Sequence, residues 1–332
     1  MILGLQFLAL AIVIVIAGSN LSKYGDVIAE KTGMGRTWVG VVLMASVTSL
    51  PELITGISSI AIFDLPNIAV GNVLGACMFN MLALALLDVL SRATPITAKA
   101  HQGQVITAGF GIILLGLVGI SISAGRMLPE IGWIGAYSLI FLLVYAIAIR
   151  IVFLFEKKRM AEYVHEMVEA ARYERIPLKK AFLNYAWNAA MVIAAATYLP
   201  YLGDQIAEAT GLGRTFVGSF FIALATTLPE LVVSVAALRI DAADLVFGNL
   251  LGSNLFNLAI LALDDVLYVK GPLLADVASA HLVTANAAMA MTGIAVVGLT
   301  YRVSKKYFFF AWDSLAILAV YVIGVTLVYL LP

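Results

Sequence analysis

The sequence predicts an all-α membrane protein of ten transmembrane helices, arranged as two inverted five-helix repeats. Three observations predict it. The chain is too apolar for water, its apolar residues fall into ten bilayer-length stretches, and its first half returns in its second.

Of 332 residues, 62% are apolar and 12% charged, against about 45–50% and about 25% in ordinary soluble domains. No core that such a chain can build hides so much apolar surface, so lipid must act as solvent. A net charge of zero implies no long-range field for nucleic acid or acidic partners. One cysteine, Cys77, excludes an intrachain disulfide and a thiolate metal cluster. His101, His165 and His281 are scattered and make no zinc pattern.

A hydrocarbon core about 30 Å thick needs roughly 20 apolar residues per helix. The ten stretches centre near residues 10, 48, 78, 111, 141, 190, 226, 256, 290 and 320. The first lacks a basic n-region and no clean cleavage site follows it, so it reads as a retained membrane helix and not a signal peptide. Between the fifth and sixth lies a polar segment, Glu156 to Lys180. Its Met160, Tyr163, Val164, Met167, Val168 and Ala171 suit an amphipathic helix on the membrane surface, and a solvated linker fits equally well. The expected organisation is a first half over 1–155, a cytoplasmic linker over 156–180 and a second half over 181–332. Loops on one side of the membrane carry 17 Lys and Arg, and the other side carries 3, namely Arg126, Arg214 and Lys270. Cytoplasmic loops are the positive ones, so both termini are expected outside the cell (inner) membrane and the 5–6 loop inside.

The repeat is explicit. Tyr24-Gly-Asp-Val-Ile-Ala-Glu-Lys-Thr-Gly-Met-Gly-Arg-Thr37 returns as Leu202-Gly-Asp-Gln-Ile-Ala-Glu-Ala-Thr-Gly-Leu-Gly-Arg-Thr215, offset by 178. Thr48-Ser-Leu-Pro-Glu-Leu53 returns as Thr226-Thr-Leu-Pro-Glu-Leu231 at the same offset. Gly71-Asn-Val-Leu-Gly-Ala-Cys-Met-Phe-Asn80 returns as Gly248-Asn-Leu-Leu-Gly-Ser-Asn-Leu-Phe-Asn257, offset by 177. Each copy holds five spans, an odd number, so the second enters the membrane from the opposite side. Such inverted repeats let one central site open alternately to either face.

Glu52 and Glu230 fall in the middle of the second and seventh spans. An acid there is costly and faces a partner, a cavity or an ion. Pro51 and Pro229 precede them. A mid-helix proline leaves the carbonyl four residues back, here of Val47 and Ala225, without its donor, and lipid cannot satisfy it. Hard cations take carboxylate, hydroxyl and carbonyl oxygens, and Thr48, Ser49, Thr226 and Thr227 add hydroxyls to this set. Asn72, Ala76 and Asn80 recur every four residues on the third span, as do Asn249, Ser253 and Asn257 on the eighth, one helix face in each. The glycines Gly71, Gly75, Gly248 and Gly252 have the small-xxx-small spacing of close helix packing. Two carboxylates among neutral oxygens suit one divalent cation or a few monovalent ones, and calcium best. Asp64, Asp88, Asp241, Asp244, Asp264 and Asp265 fall near span ends and read mostly as interfacial.

Ser46-Val-Thr-Ser-Leu-Pro-Glu52, Gly71-Asn-Val-Leu-Gly…Asn80 and their second copies resemble the two alpha-repeats of the sodium/calcium exchanger family, within the cation/calcium antiporter superfamily. The resemblance implies an antiporter with four cation sites at mid-membrane, exchanging three sodium ions for one calcium. It implies that calcium is held by Glu52, Glu230 and the carbonyls of Thr48 and Thr226. Sodium would use the same glutamates with Ser49, Thr227, Ser253 and the carbonyls of Ala45 and Ala223. Asn80 and Asn257 would line the centre, and the first and sixth spans would slide across the rest. Three departures stand out: Val47 and Ala225 replace the family's glycines, Ala76 replaces a serine ligand, and Asn257 stands where some relatives have Asp. The hydroxyl missing at Ala76 keeps proton coupling through Glu52 or Glu230 open as an alternative to sodium.

The expected function is therefore calcium extrusion by exchange, with no cofactor, no nucleic-acid partner and no obligate protein partner. A passive channel fits inverted repeats with broken helices poorly. An intramembrane enzyme lacks its motifs, since there is no His-Glu-x-x-His and no paired intramembrane Asp.

Overall fold

The computed structural model describes residues 2–32, 48–91, 94–101, 103–163, 176–240, 242–302, 306 and 311–331. Its long helices are α1 (Ile2–Thr32), α2 (Leu50–Ala61), α3 (Pro66–Leu90), α4 (Gln104–Ala124), α5 (Ala136–Tyr163), α6 (Leu178–Thr210), α7 (Ala223–Arg239), α8 (Ala243–Leu267), α9 (His281–Tyr301) and α10 (Trp312–Leu330). A short turn, Arg214–Phe216, and a π-helical stretch, Val217–Ile222, lead into α7. The only sheet among the described residues is a two-stranded hairpin, β1 (Glu130–Ile131) and β2 (Ile134–Gly135), between α4 and α5.

Eight stretches of the described chain are long and apolar enough to cross a membrane. Two expected spans fall short of that description. The one centred near residue 48 is described only as the 12-residue helix α2, residues 33–47 lying outside the described chain. The one centred near 190 is α6, whose 33 residues reach about 50 Å at 1.5 Å per residue but include Asn184, Asn188 and Asp204. Of the 156–180 segment, residues 156–163 continue α5 and 178–180 begin α6. Residues 164–175 lie outside the described chain.

Burial sorts the helices. The apolar windows of α3 and α8 are each 83% buried, whereas those of α1 and α5 are 22% buried. The first pair forms the centre and the second faces lipid. On α1 the exposed Ile2, Leu5, Leu8, Ile12 and Ile16 follow helical spacing, an apolar stripe turned outward. The other side of α1 packs along α6 and across α7. At that crossing Gly18 meets the Pro229 ring so closely that a Cβ at Gly18 would lie 2.7 Å from the ring. Likewise α3 rests on the π-helical stretch through two glycines. A Cβ on Gly75 would sit 2.2 Å from the carbonyl oxygen of Ser219, and one on Gly71 would sit 3.0 Å from its nitrogen.

Two aspartates, expected to be interfacial, are instead buried fasteners. Asp88 near the end of α3 accepts from the backbone N–H of Ile96 (2.9 Å) and of Ala311 (2.9 Å), just before α10, and pairs with Lys306 at 3.1 Å. Asp265 near the end of α8 accepts from the N–H of Leu273 (2.7 Å) and of Gly135 (2.9 Å), just before α5, and from Tyr137 (2.7 Å) and Ser138 (2.6 Å) hydroxyls. Each bonds a backbone N–H eight residues further on and the entry to another helix. Asp264 is fully buried as well. The expectation failed because α3 and α8 are covered by loops at these ends, so nearness to a helix end is not nearness to water.

Candidate functional site

Ser49 is the residue before α2, Pro51 lies in the first turn and Glu52 follows it. Within the described residues Ser49 makes a turn between helical Thr48 and α2, and Pro51 is the second residue of α2, in the first turn, where a missing N–H leaves nothing unsatisfied. In the second copy Pro229 does lie inside its helix, α7. There Ala225 lacks a donor four residues on, directly after the π-helical stretch, a geometry frequent at functional sites. Val47 and Ala45 lie outside the described residues.

The two motifs exchange hydrogen bonds. Thr227 donates to Oε1 of Glu52 at 3.2 Å, and Ser49 donates to Oε1 of Glu230 at 3.2 Å. Ser49 and Thr227 are 178 apart, as are the two glutamates, so each motif's hydroxyl serves the other motif's acid. The Asn72 amide reaches the backbone carbonyl of Glu52 (3.4 Å), and the matched Asn249 amide reaches that of Glu230 (3.1 Å) and the Ser234 hydroxyl (3.0 Å). Thr226 donates to Asn72 Oδ1 at 3.0 Å, while Thr48 and Ser253 hydroxyls meet at 3.4 Å. Ser253 also reaches Glu230 Oε1 at 3.5 Å. The carbonyl of Ala223 lies 2.6 Å from the Thr227 hydroxyl and 3.2 Å from that of Thr226, sharing their single protons with Glu52 and Asn72. All these side chains are buried.

Thus α2, α3, α7 and α8 bring together Glu52, Glu230, Thr48, Ser49, Thr226, Thr227, Ser253 and the Ala223 carbonyl. Asn80 and Asn257 lie two turns further along their helices from Asn72 and Asn249. Sequence reasoning missed Asn254, which is buried, accepts from Asn80 Nδ2 at 2.9 Å and donates to the Cys77 carbonyl at 3.4 Å. Its signal was faint because the first copy has Cys77 at that place.

Five oxygens of these residues carry no hydrogen bond: Oε2 of Glu52, Oε2 of Glu230, and Oδ1 of Asn80, Asn249 and Asn257; one donor, Nδ2 of Asn257, is unpartnered too. Buried polar atoms are normally partnered, so a surplus of acceptors in an apolar bundle suits a ligand that is itself positive. The set is oxygen only, as hard cations require. Among the described residues no three His, Cys, Asp or Glu side chains form a metal cluster, and with two carboxylates the charge matches one divalent ion. The glycines Gly71 and Gly75 serve packing.

Fold and site together define a multi-pass membrane protein built around a buried centre rich in oxygen acceptors. The model of the sodium/calcium exchanger protein family matches residues 2–154 and 180–330, and the chain belongs to that family. It is 24% identical over 327 residues to an uncharacterized membrane protein of Methanocaldococcus jannaschii, 98% of each chain being covered. Its fold is similar to that of the sodium-calcium exchanger NCX_Mj (TM-score 0.64, 21% identity, 98% of each chain). It is also similar to that of the H+/Ca2+ exchanger CAX (TM-score 0.70, 14% identity, 99% of this chain and 84% of the other).

Proposed function

We propose that this chain is an alternating-access antiporter that carries calcium out of the cell in exchange for sodium, at a site made by the two Pro-Glu motifs. The observation that carries the reading is the pair of fully buried glutamates, each holding one oxygen free of hydrogen bonds. Calcium binds between Glu52 and Glu230 with the carbonyls of Thr48 and Thr226. Sodium uses the glutamates with Ser49, Thr227, Ser253 and the Ala45 and Ala223 carbonyls, and Asn80 and Asn257 close the centre. The hydroxyls of Ser49 and Thr227 donate to the glutamates, and on ion binding they turn their lone pairs to the ion. No cofactor enters this cycle.

Residues 1–155 and 181–332 act as inverted halves of five spans each, joined by the 156–180 linker. The exchanged bonds between the Pro-Glu motifs and the matched roles of Asp88 and Asp265 support this reading. So does the distribution of Lys and Arg, which also supports termini outside and the linker in the cytoplasm. Access switches as α1 and α6 slide across the remaining helices. Gly18 over Pro229 supports that motion, as do the long contacts of Thr55 and Ser58 hydroxyls with the Ala196 carbonyl, both 3.5 Å.

One observation favours a second reading, exchange of calcium for protons at the same glutamates. Ala76 stands at the position matched to Ser253 of the other half, which takes one oxygen from a sodium site. Calcium uptake into proteoliposomes separates the two. Uptake driven by a sodium gradient at equal pH supports sodium coupling. Uptake indifferent to sodium but driven by acid-inside vesicles replaces it with proton coupling.

A further inference from the structure

Asp264 on α8 has no place in the site described above. It is fully buried, and neither of its oxygens has a hydrogen-bond partner. Its carboxyl lies against the backbone of α2, where a Cβ on Gly56 would be 2.7 Å from both oxygens. Gly56 is one turn along α2 from Glu52. Asp264 is seven residues beyond Asn257, so it shares that face of α8 about 10 Å toward the helix end. That end is followed by Lys270, which pairs with Asp64 in the α2–α3 connection, so Asp264 stands between the central glutamates and one membrane face. On the same stripe of α2 as Glu52 and Gly56, the Ser59 hydroxyl is also buried and unpartnered. The position matched to Asp264 in the first half is Leu87.

We propose that Asp264 is an ion-binding site in its own right and that its ion is a proton, exchanged with water on the face where α2 ends and α8 ends. A metal cation needs several oxygen ligands, and the surface against this carboxyl is the carbon of Gly56. A proton needs only the carboxyl itself. The neighbouring charges do not neutralise an ionised Asp264. Asp265 is acidic and takes four donors, Lys270 is paired with Asp64, Arg126 is paired with Asp276, and α2 offers only Glu52. An intramembrane carboxylate without a partner is costly, so contact with Gly56 belongs to the neutral acid. When the O–H bond breaks and the proton leaves to water, the carboxylate must be hydrated, and α2 gives way on that side. Because the first half has Leu87, this control acts at one face only. Its coupling to transport rests on the exchanger reading above, while the proton site does not.

Infrared spectra of the purified full chain test the site directly. In a Glu52→Gln, Glu230→Gln background, Asp264→Asn should remove a protonated-carboxyl carbonyl band that is present at neutral pH and lost as pH rises. Identical spectra with and without Asp264→Asn at every pH overturn the proposal. Gly56→Ala, whose new Cβ crowds both oxygens, should shift loss of that band to lower pH, and an unshifted band counts against the contact. In proteoliposomes, Asp264→Asn should flatten the dependence of calcium exchange on pH at that one face while calcium binding in detergent stays unchanged. A pH profile equal to that of the unaltered chain overturns the coupling. If the unaltered chain exchanges no calcium, the exchanger reading fails and the infrared band still decides the proton site.

Discussion

Changing Asp265 to Asn tests whether the buried fasteners hold the bundle. The carboxylate takes four donors, two on each oxygen: Tyr137 and Leu273 on Oδ1, Gly135 and Ser138 on Oδ2. An amide keeps one oxygen and turns an NH2 toward the other two donors. Two charge-assisted bonds are lost at about 1.5–3 kcal/mol each, or about 3–6 kcal/mol together. At about 2 °C per kcal/mol for a large domain, the Tm falls by about 6–12 °C. The contrast is Arg126→Ala, which breaks an ion pair whose arginine is 65% exposed. Such pairs are worth about 0–1 kcal/mol, so that Tm moves by about 2 °C or less. Thermal unfolding of both variants in one detergent, read by size-exclusion chromatography after heating, gives the comparison. If Asp265→Asn unfolds no earlier than Arg126→Ala, the bonds do not secure the ends of α5 and α8.

Further outcomes follow from the same geometry. Gly75→Ala places a Cβ 2.2 Å from the Ser219 carbonyl oxygen and 2.7 Å from the Ala223 Cβ, an overpacking that costs about 1–3 kcal/mol or more and lowers exchange with stability. Gly116→Ala, whose nearest neighbour is 3.8 Å away, leaves both unchanged. Ser49→Ala and Thr227→Val each remove one hydroxyl oxygen that the proposed cycle turns to sodium, now 3.2 Å from a glutamate. Each therefore lowers the apparent sodium affinity of calcium uptake; an unmoved sodium curve in both would argue against hydroxyl ligands. Ala76→Ser restores a hydroxyl at the position matched to Ser253 and raises apparent sodium affinity in the same assay, whereas an unmoved sodium curve would show that α3 supplies no ligand there.

Eight of the expected spans, and the burial of Glu52 and Glu230, were legible because they rest on composition and on long matched strings, which survive ignorance of packing. Reciprocity was not legible. That Ser49 serves Glu230 and Thr227 serves Glu52 depends on how α2 crosses α7, and no spacing within one copy encodes it. The setting of the prolines was not legible for a related reason. The same Leu-Pro-Glu string follows a turn at Ser49 in one half, and in the other it follows a π-helical stretch that runs straight into α7. The aspartates misled because hydropathy measures distance along a helix from its end. It does not register the loop that Asp88 and Asp265 tie over those ends. Asn254 escaped because its mate is a cysteine, so the repeat gave no hint that an amide belonged there.

The central claim is that Glu52 and Glu230 together hold the transported cation. Equilibrium binding of radioactive calcium to the purified chain, with and without sodium, tests it most directly. The account predicts one calcium per chain, displaced by sodium, and no measurable binding in either Glu52→Gln or Glu230→Gln, since each acid's free oxygen is one half of the site. Calcium bound at ordinary affinity by either single variant would contradict it.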